Sequence, residues 1–163
     1  MASEVRIRRV RRRDEGAIAR LWLALSEYHV ALDDRMPVPT EGAAERYAAR
    51  LVERRNDPQT RAFVAEIDRE VVGYVLGAVV DLYSDLFEHA ESGYIADVFV
   101  DPAHRRRGVA RQLFGAMAGW FAEQGVAHIE WQVAATNPAG VAFWEAVGGR
   151  PVVVRMRLAL DGA

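Results

Sequence analysis

The segment VFVDPAHRRRGVARQLF, residues 98–114, sets four arginines (Arg105, Arg106, Arg107 and Arg111) around Gly108 and Ala110. An apolar strand pattern runs into this basic turn and a helical pattern runs out of it. At a helix start the first backbone N–H groups lack partners and the dipole presents its positive end, which seats phosphate well if nothing bulky blocks the approach. Gly108 removes the side chain where the backbone must come close, and Ala110 keeps the next exposed position small. The guanidinium groups add charge in a planar fork suited to phosphate oxygens. On composition alone, an ordinary turn with solvated arginines reads the same. The sequence holds neither G-x-x-x-x-G-K-[ST] nor G-x-G-x-x-G, which argues against a nucleoside triphosphatase or a dinucleotide oxidoreductase.

Other chemistries are narrowed by residue type. Cysteine is absent, which removes disulfides, cysteine-ligated zinc and a cysteine nucleophile together, and fits a reducing, cytoplasmic compartment. His29, His89, His104 and His128 show no paired helical spacing, so no metal is expected. His29 and His89 fall in predicted loops, where a plain surface histidine is the simplest reading.

The elements that must position the basic turn follow from periodicity. Val5, Ile7 and Arg9 share one parity and predict a first strand with solvated arginines on its other face. Ile18, Leu21, Trp22 and Leu25 recur at helical spacing, predicting a helix from Asp14 to about Tyr28, and a second helix is expected over Glu41–Arg54. Arg61–Ile67 and Val71–Val80 read as an antiparallel hairpin, and Tyr94–Val100 as a further strand. A helix follows over Arg107–Gln124 with Leu113, Phe114, Met117 and Phe121 on one stripe, then a strand over His128–Ala134. Asn137 and Pro138 start another helix as N-cap and first-turn proline, and Val152–Leu160 is expected as the last strand. The order βααβββαβαβ is that of a mixed α/β (α+β) domain, and the crossover from Tyr94 to Ala134 implies two parallel strands.

At 163 residues and 51% hydrophobic composition, one domain over 1–163 is expected. The longest apolar stretch, Val71–Val80, is about half of the roughly 20 residues a membrane helix needs, and the beginning MASEVRIRR has no apolar signal core, so no membrane partner is expected. Net charge is -2, and all 21 basic residues are arginine. No aromatic platform interleaves with the run Arg6–Arg13, so no nucleic acid partner is expected either.

Two motifs carry a resemblance. Arg105-x-x-Gly108-x-Ala110, directly after an apolar strand and Asp101-Pro102, resembles the R/Q-x-x-G-x-G/A acetyl-coenzyme A signature of the GCN5-related N-acetyltransferases (GNAT). Asn137-Pro138-Ala139-Gly140-Val141-Ala142-Phe143-Trp144-Glu145, followed by Gly148, is similar to that family's N-x-x-A-x-x-F-Y-E…G segment. The order of elements resembles the family's from Val5 to Leu160. The resemblance implies a central mixed sheet of about six to seven strands with flanking helices and a splayed parallel pair. Acetyl-CoA would be the co-substrate, with its pantetheine arm in the splay.

By that carry-over the Val98 N–H polarises the thioester carbonyl and stabilises the oxyanion. Val100 pairs with pantetheine amides, and Phe99 lies between them on the same strand. The amides of Arg106, Arg107, Gly108, Val109, Ala110 and Arg111, with Arg105 beside them, cradle the diphosphate. Asn137, Ala139 and Phe143 accompany the arm. The implied partners are a small-molecule or peptide amine acceptor and, as a protein partner, at most a second copy in a homodimer.

An alkylamine with a pKa near 10.4 is neutral in about one molecule per 1,000 at pH 7.4, a cost of roughly 4 kcal/mol that a general base relieves. Asp97, one residue before Val98, is the first candidate. The segment Tyr94–Val100 resembles the Y-L-E-D-F-F-V type of diamine and polyamine acetyltransferases, with Ala96 in place of the glutamate. Strand parity leaves the direction of Asp97 open, because the family's strand carries a bulge, and a role in bonding that bulge or a loop is the alternative. Trp144 stands where the family often has a tyrosine acid, and an indole only donates a hydrogen bond. Tyr94 and Tyr83 are alternative donors. Asp33, Asp34, Asp81, Asp85, Glu88 and Glu91 would gather at the acceptor mouth and favour a cationic amine. Two functions follow: an acetyltransferase acting by direct attack, or a weakly active acyl-CoA-binding regulatory module of the same fold.

Overall fold

A computed structural model describes residues 4–83, 88 and 91–160. In chain order the elements are β1 (Arg6–Arg9), α1 (Glu15–Leu32), α2 (Ala43–Glu53), β2 (Thr60–Ile67), β3 (Glu70–Val80), β4 (Ser92–Val100), α3 (Val109–Glu123), β5 (Ile129–Trp131) and α4 (Pro138–Ala146). The strands form one mixed sheet in the order β1-β2-β3-β4-β5, antiparallel except for the parallel pair β4 and β5. The described residues up to Gln132 make one compact unit and those from Val133 onward another.

In the first unit, α1 and α2 pack on one face of the sheet. Ile18, Leu21, Leu25, Ala48, Leu51 and Val52 meet Val64, Tyr74 and Phe99 there. Helix α3 covers the other face through the fully buried Leu113, Met117 and Phe121. It lies unusually close, because glycines face it: a Cβ at Gly77 would stand 2.7 Å from the Met117 sulfur, and one at Gly93 would stand 2.8 Å from the Phe121 ring. The close approach fixes where α3 begins relative to β4.

Three expectations are corrected. The sheet has five strands among the described residues, not six to seven, because 152–160 is not a strand: its apolar side chains stand in solvent. Alternation and β-propensity describe fit to a pleated neighbour, which the pattern alone cannot supply. The strand expected over His128–Ala134 is only Ile129–Trp131. Finally, the inner face of β1 is not solvated. Arg8 is buried there, donating to Asp14 Oδ2 and Oδ1 at 2.8 and 2.9 Å and to Glu66 Oε2 at 2.7 Å.

That cluster ties β1, the turn before α1 and β2. Burial pushes the Asp14 carboxyl up, but the Arg8 hydrogen bonds, the Arg11 N–H and the nearby arginine charges outweigh it and hold the pKa below the usual carboxylate value. A carboxylate depressed in the fold stabilises it above the unfolded pKa, near 3.9, and that contribution fades as pH falls through the folded value. Arg8→Ala strands Asp14 without its partner and is expected to cost roughly 3–5 kcal/mol. Thermal melts at pH 7 check this, and the deficit should shrink at about pH 3, where Asp14 is protonated in the unfolded chain.

Candidate active site

The backbone of β4 defines the site. The Asp101 N–H donates to the Val72 carbonyl at 2.8 Å, and the register pairs Val100 with Gly73, Phe99 with Tyr74, Val98 with Val75 and Asp97 with Leu76. Antiparallel pairs alternate between bonded and unbonded, so Phe99 and Asp97 turn their N–H and C=O groups to β3, while Val98 and Val100 turn theirs away. On that outward side β5 pairs only with Gly93, Tyr94 and Ile95. Past Ile95 the pairing with β5 ends, and Val98 turns its N–H to the side away from β3.

A bulge sets this phase. Leu76 faces Asp97 but Gly77 faces Ile95, so Ala96 is the extra residue. The Gly93 N–H donates to the His128 carbonyl at 3.0 Å, which puts Gly93 and Ile95 on the β5 side. Unbroken alternation would then turn Val98 toward β3. The inserted Ala96 shifts the alternation by one residue and brings Val98 and Val100 to the outward edge.

The basic turn follows. Asp101 accepts from the Ala103 N–H at 3.0 Å and from Arg20 at 3.1 Å, which anchors the short helical turn Pro102–His104 to α1. Arg105 faces back: its Nε donates to the Val100 carbonyl at 3.0 Å, and its guanidinium lies 5.2 Å from the ring centroids of both Tyr28 and Phe99. Its side chain therefore braces the strand end. Arg106 and Gly108 both adopt left-handed φ, 61° and 75°. For arginine this conformation costs on the order of 1 kcal/mol, the kind of local strain that collects at functional sites. Arg106, Arg107 and Gly108 are exposed, Val109 is buried in the core, and Ala110 is half-buried at the first turn of α3. A Cβ at Gly108 would meet nothing within 4 Å, so the helix start is open to an incoming group.

Asp97 lies opposite Leu76 on the face covered by α1 and α2. Its Oδ2 accepts from the Tyr47 hydroxyl at 2.5 Å. Trp22 of α1 stacks on Tyr47 of α2 at 5.0 Å, and Tyr47 meets Tyr74 edge-on at 6.4 Å. Burial pushes the Asp97 pKa up; the Tyr47 hydrogen bond and the nearby His29 oppose this without cancelling it. Burial also raises Tyr47 well above its usual value, so it stays a donor. His29 is pushed down by burial, with Asp97 offsetting part of the shift, which favours the uncharged imidazole. His29 is not the loop residue expected: α1 runs a turn further than predicted, and His29 extends the stripe of Ile18, Trp22 and Leu25 half-buried toward Asp97.

Tyr47 was not singled out from sequence. The signal available was a hydroxyl-bearing ring on the buried stripe Ala44, Ala48 and Leu51 of α2, since such a hydroxyl needs a partner. Of the expected acidic mouth, Asp33 is paired with Arg35 at 2.7 Å, Asp34, Asp81, Glu88 and Glu91 are exposed, and Asp85 lies outside the described residues, as does His89. The Tyr83 hydroxyl donates to Glu130 at 3.1 Å.

In the second unit, Asn137 caps α4 by accepting from the Gly140 N–H at 3.0 Å, with Pro138 in the first turn. Ala139 is exposed and Phe143 half-buried. Trp144 is buried, its ring 5.0 Å from that of Phe143. Among the described residues no group of three or more His, Cys, Asp or Glu side chains is placed to hold a metal, and no helix is long and apolar enough to cross a membrane.

The site lies on a mixed sheet whose parallel pairing stops at Ile95, ahead of a helix start left open by Gly108. The chain belongs to the acetyltransferase (GNAT) family, whose model matches residues 13–148. Over 87 residues it is 31% identical to the L-2,4-diaminobutyric acid acetyltransferase of Nocardia farcinica, a match covering 53% of this chain and 42% of that protein. The chain thus spans under half the length of that curated relative. Among solved structures, a mutant of the BH1408 protein from Bacillus halodurans superposes with a TM-score of 0.83 at 23% identity, over 95% of this chain and 99% of that one. The aminoglycoside N-acetyltransferase AAC(6')-Iy in complex with CoA superposes with a TM-score of 0.69 at 19% identity, over 97% and 98%. Both likenesses concern the fold.

Proposed function

We propose that this chain, acting as a single cytoplasmic domain, transfers an acetyl group from acetyl-CoA to a primary amine of a small molecule or peptide by direct attack. The observation that carries the proposal is the Val98 N–H turned away from β3 beyond the end of the β5 pairing, one residue from a carboxylate whose pKa is raised. The site fits the co-substrate in two respects. The bulged strand turns the backbone groups of Val98 away from β3 past the last β5 pair, as an extended arm needs, and the bare Gly108 leaves the helix start open to a diphosphate. The amides of Arg106 to Arg111 would hold the diphosphate, and the Val100 N–H would pair with the arm. Asn137, Ala139 and Phe143 are assigned to the arm on the family motif.

When bound, acetyl-CoA supplies an activated thioester carbonyl for the amine to attack, with coenzyme A leaving as the thiol. Val98 donates its N–H to the carbonyl oxygen as negative charge gathers there. Asp97, ionised and held in one orientation by Tyr47, takes the proton that the amine must lose. A raised pKa makes it a stronger base than an ordinary carboxylate. Trp144 cannot return a proton, so water protonates the departing sulfur, whose ordinary pKa near 8.5 makes it a tolerable leaving group. The relatives named for diaminobutyric acid and aminoglycosides both have amines as substrates, which agrees with a carboxylate at the acceptor side.

Trp144 favours one second reading, an acyl-CoA-binding module with little turnover. Calorimetry with acetyl-CoA and thiol release over a panel of amines separate the two. Binding with amine-dependent thiol release is the expected result. Binding without release from any amine would establish the module, and a trapped acetyl-enzyme would refute direct attack.

A further inference from the structure

Asp97 is part-exposed, so an incoming amine can reach it, and the side chains gathered about it are mostly rings. Tyr47 of α2 donates its hydroxyl to Asp97 Oδ2 at 2.5 Å, and Trp22 of α1 stacks on Tyr47 with ring centroids 5.0 Å apart and planes within 19°. Tyr74 of β3 meets Tyr47 edge-on, and Leu76 lies opposite Asp97 across the strand pair. His29 stands about two helical turns beyond Trp22 on the same stripe of α1 and acts on Asp97 through its charge. Tyr74 is fully buried, whereas Trp22, Tyr47, Leu76 and His29 are each half-buried and keep part of their surface uncovered.

This wall carries one negative charge. The electrostatic partners of Asp97 are the Tyr47 hydroxyl and His29, and Asp97 in turn acts on Tyr74; none of these is a second carboxylate. Among the described residues, the acids expected at the acceptor mouth are engaged elsewhere or solvated: Asp33 pairs with Arg35 at 2.7 Å, and Asp34, Asp81, Glu88 and Glu91 are exposed. An acceptor with two ammonium groups would therefore find a carboxylate for one of them. The other, laid against the rings, would exchange its water for cation–π attraction alone. A flat apolar body suits the same wall better, because rings in offset or edge-on contact gain more than the area they bury.

We propose that the acceptor is a monoamine, with its ammonium group at Asp97 and an aromatic ring on a short alkyl chain packed against Trp22 and Tyr47. This assignment rests on the acetyl-transfer reading and names its substrate class. In the reaction the amine nitrogen bonds the acetyl carbon and the carbon–sulfur bond breaks. The proton that nitrogen loses passes to Asp97, and the sulfur takes one from water.

2-Phenylethylamine and 1,4-diaminobutane, both short primary amines, put the assignment to the test. In thiol release with acetyl-CoA, kcat/KM should be about tenfold or more higher for phenylethylamine, since burying a ring adds binding that a second ammonium group does not. Trp22→Leu keeps an apolar side chain and removes the flat face; with its fold confirmed by a thermal melt, it should narrow the ratio to about threefold or less. Equal rates or a preference for the diamine in the wild type overturn the proposal, as does a preference that folded Trp22→Leu leaves intact. Calorimetry on the wild-type chain, with and without coenzyme A, reads the same preference as affinity and needs no turnover. Thiol release from no amine at all defeats the acetyl-transfer reading. Phenylethylamine binding no tighter than the diamine defeats the assignment of the acceptor, whether or not thiol is released.

Discussion

Gly108→Glu should lower affinity for coenzyme A on the order of a hundredfold or more while leaving the protein folded. The position takes φ 75°, and a Cβ there meets no atom within 4 Å, so the core beneath, Val109 and Leu113, is untouched. Left-handed backbone costs a non-glycine residue about 1–2 kcal/mol, which is a tolerable loss of stability. The carboxylate, by contrast, would stand at the helix start that the proposal assigns to the diphosphate, and like charges placed together cost several kcal/mol of affinity. Gly108→Ala separates the two effects: it carries the backbone strain without the charge and should change affinity by less than about tenfold. Isothermal calorimetry, with a thermal melt of each variant, reads both quantities. Unchanged affinity in the glutamate variant would remove the diphosphate from this turn.

Asp97→Asn should lower turnover by about two to three orders of magnitude, the usual contribution of a positioned general base. The pH dependence is the sharper observation. A base works when deprotonated, so the wild-type rate should fall as pH drops through the raised pKa of Asp97, and the asparagine variant should lose that acid limb. Tyr47→Phe removes a hydrogen bond that holds the Asp97 pKa down. Its acid limb should therefore move to higher pH, the opposite of what mere loosening of the fold would predict. If the limb survives in the asparagine variant, His29 becomes the base. Its pKa lies below the ordinary histidine value, and His29→Gln would then flatten the profile.

Signals contained within a few residues were legible from the sequence. The basic turn between strand and helix, the hairpin around Asp68 and Arg69, and the Asn137 cap of α4 each depend on neighbours along the chain, and each forms where its spacing puts it. The family, too, was readable from the residues around Gly108 and from 137–145. What the sequence did not contain was the outcome of competition between distant groups. Tyr47 and Asp97 are 50 positions apart, and their hydrogen bond exists because α2 is laid over β4 by a core of aliphatic side chains. Arg8 is buried because two carboxylates, at 14 and 66, converge on it. The bulge at Ala96 is decided by pairing with β3, and it determines which backbone groups turn away from β3. Residues 152–160 show the same limit from the other side: their alternation specifies a strand, but only a neighbouring edge can make them one, and a neighbour is a property of tertiary or quaternary structure.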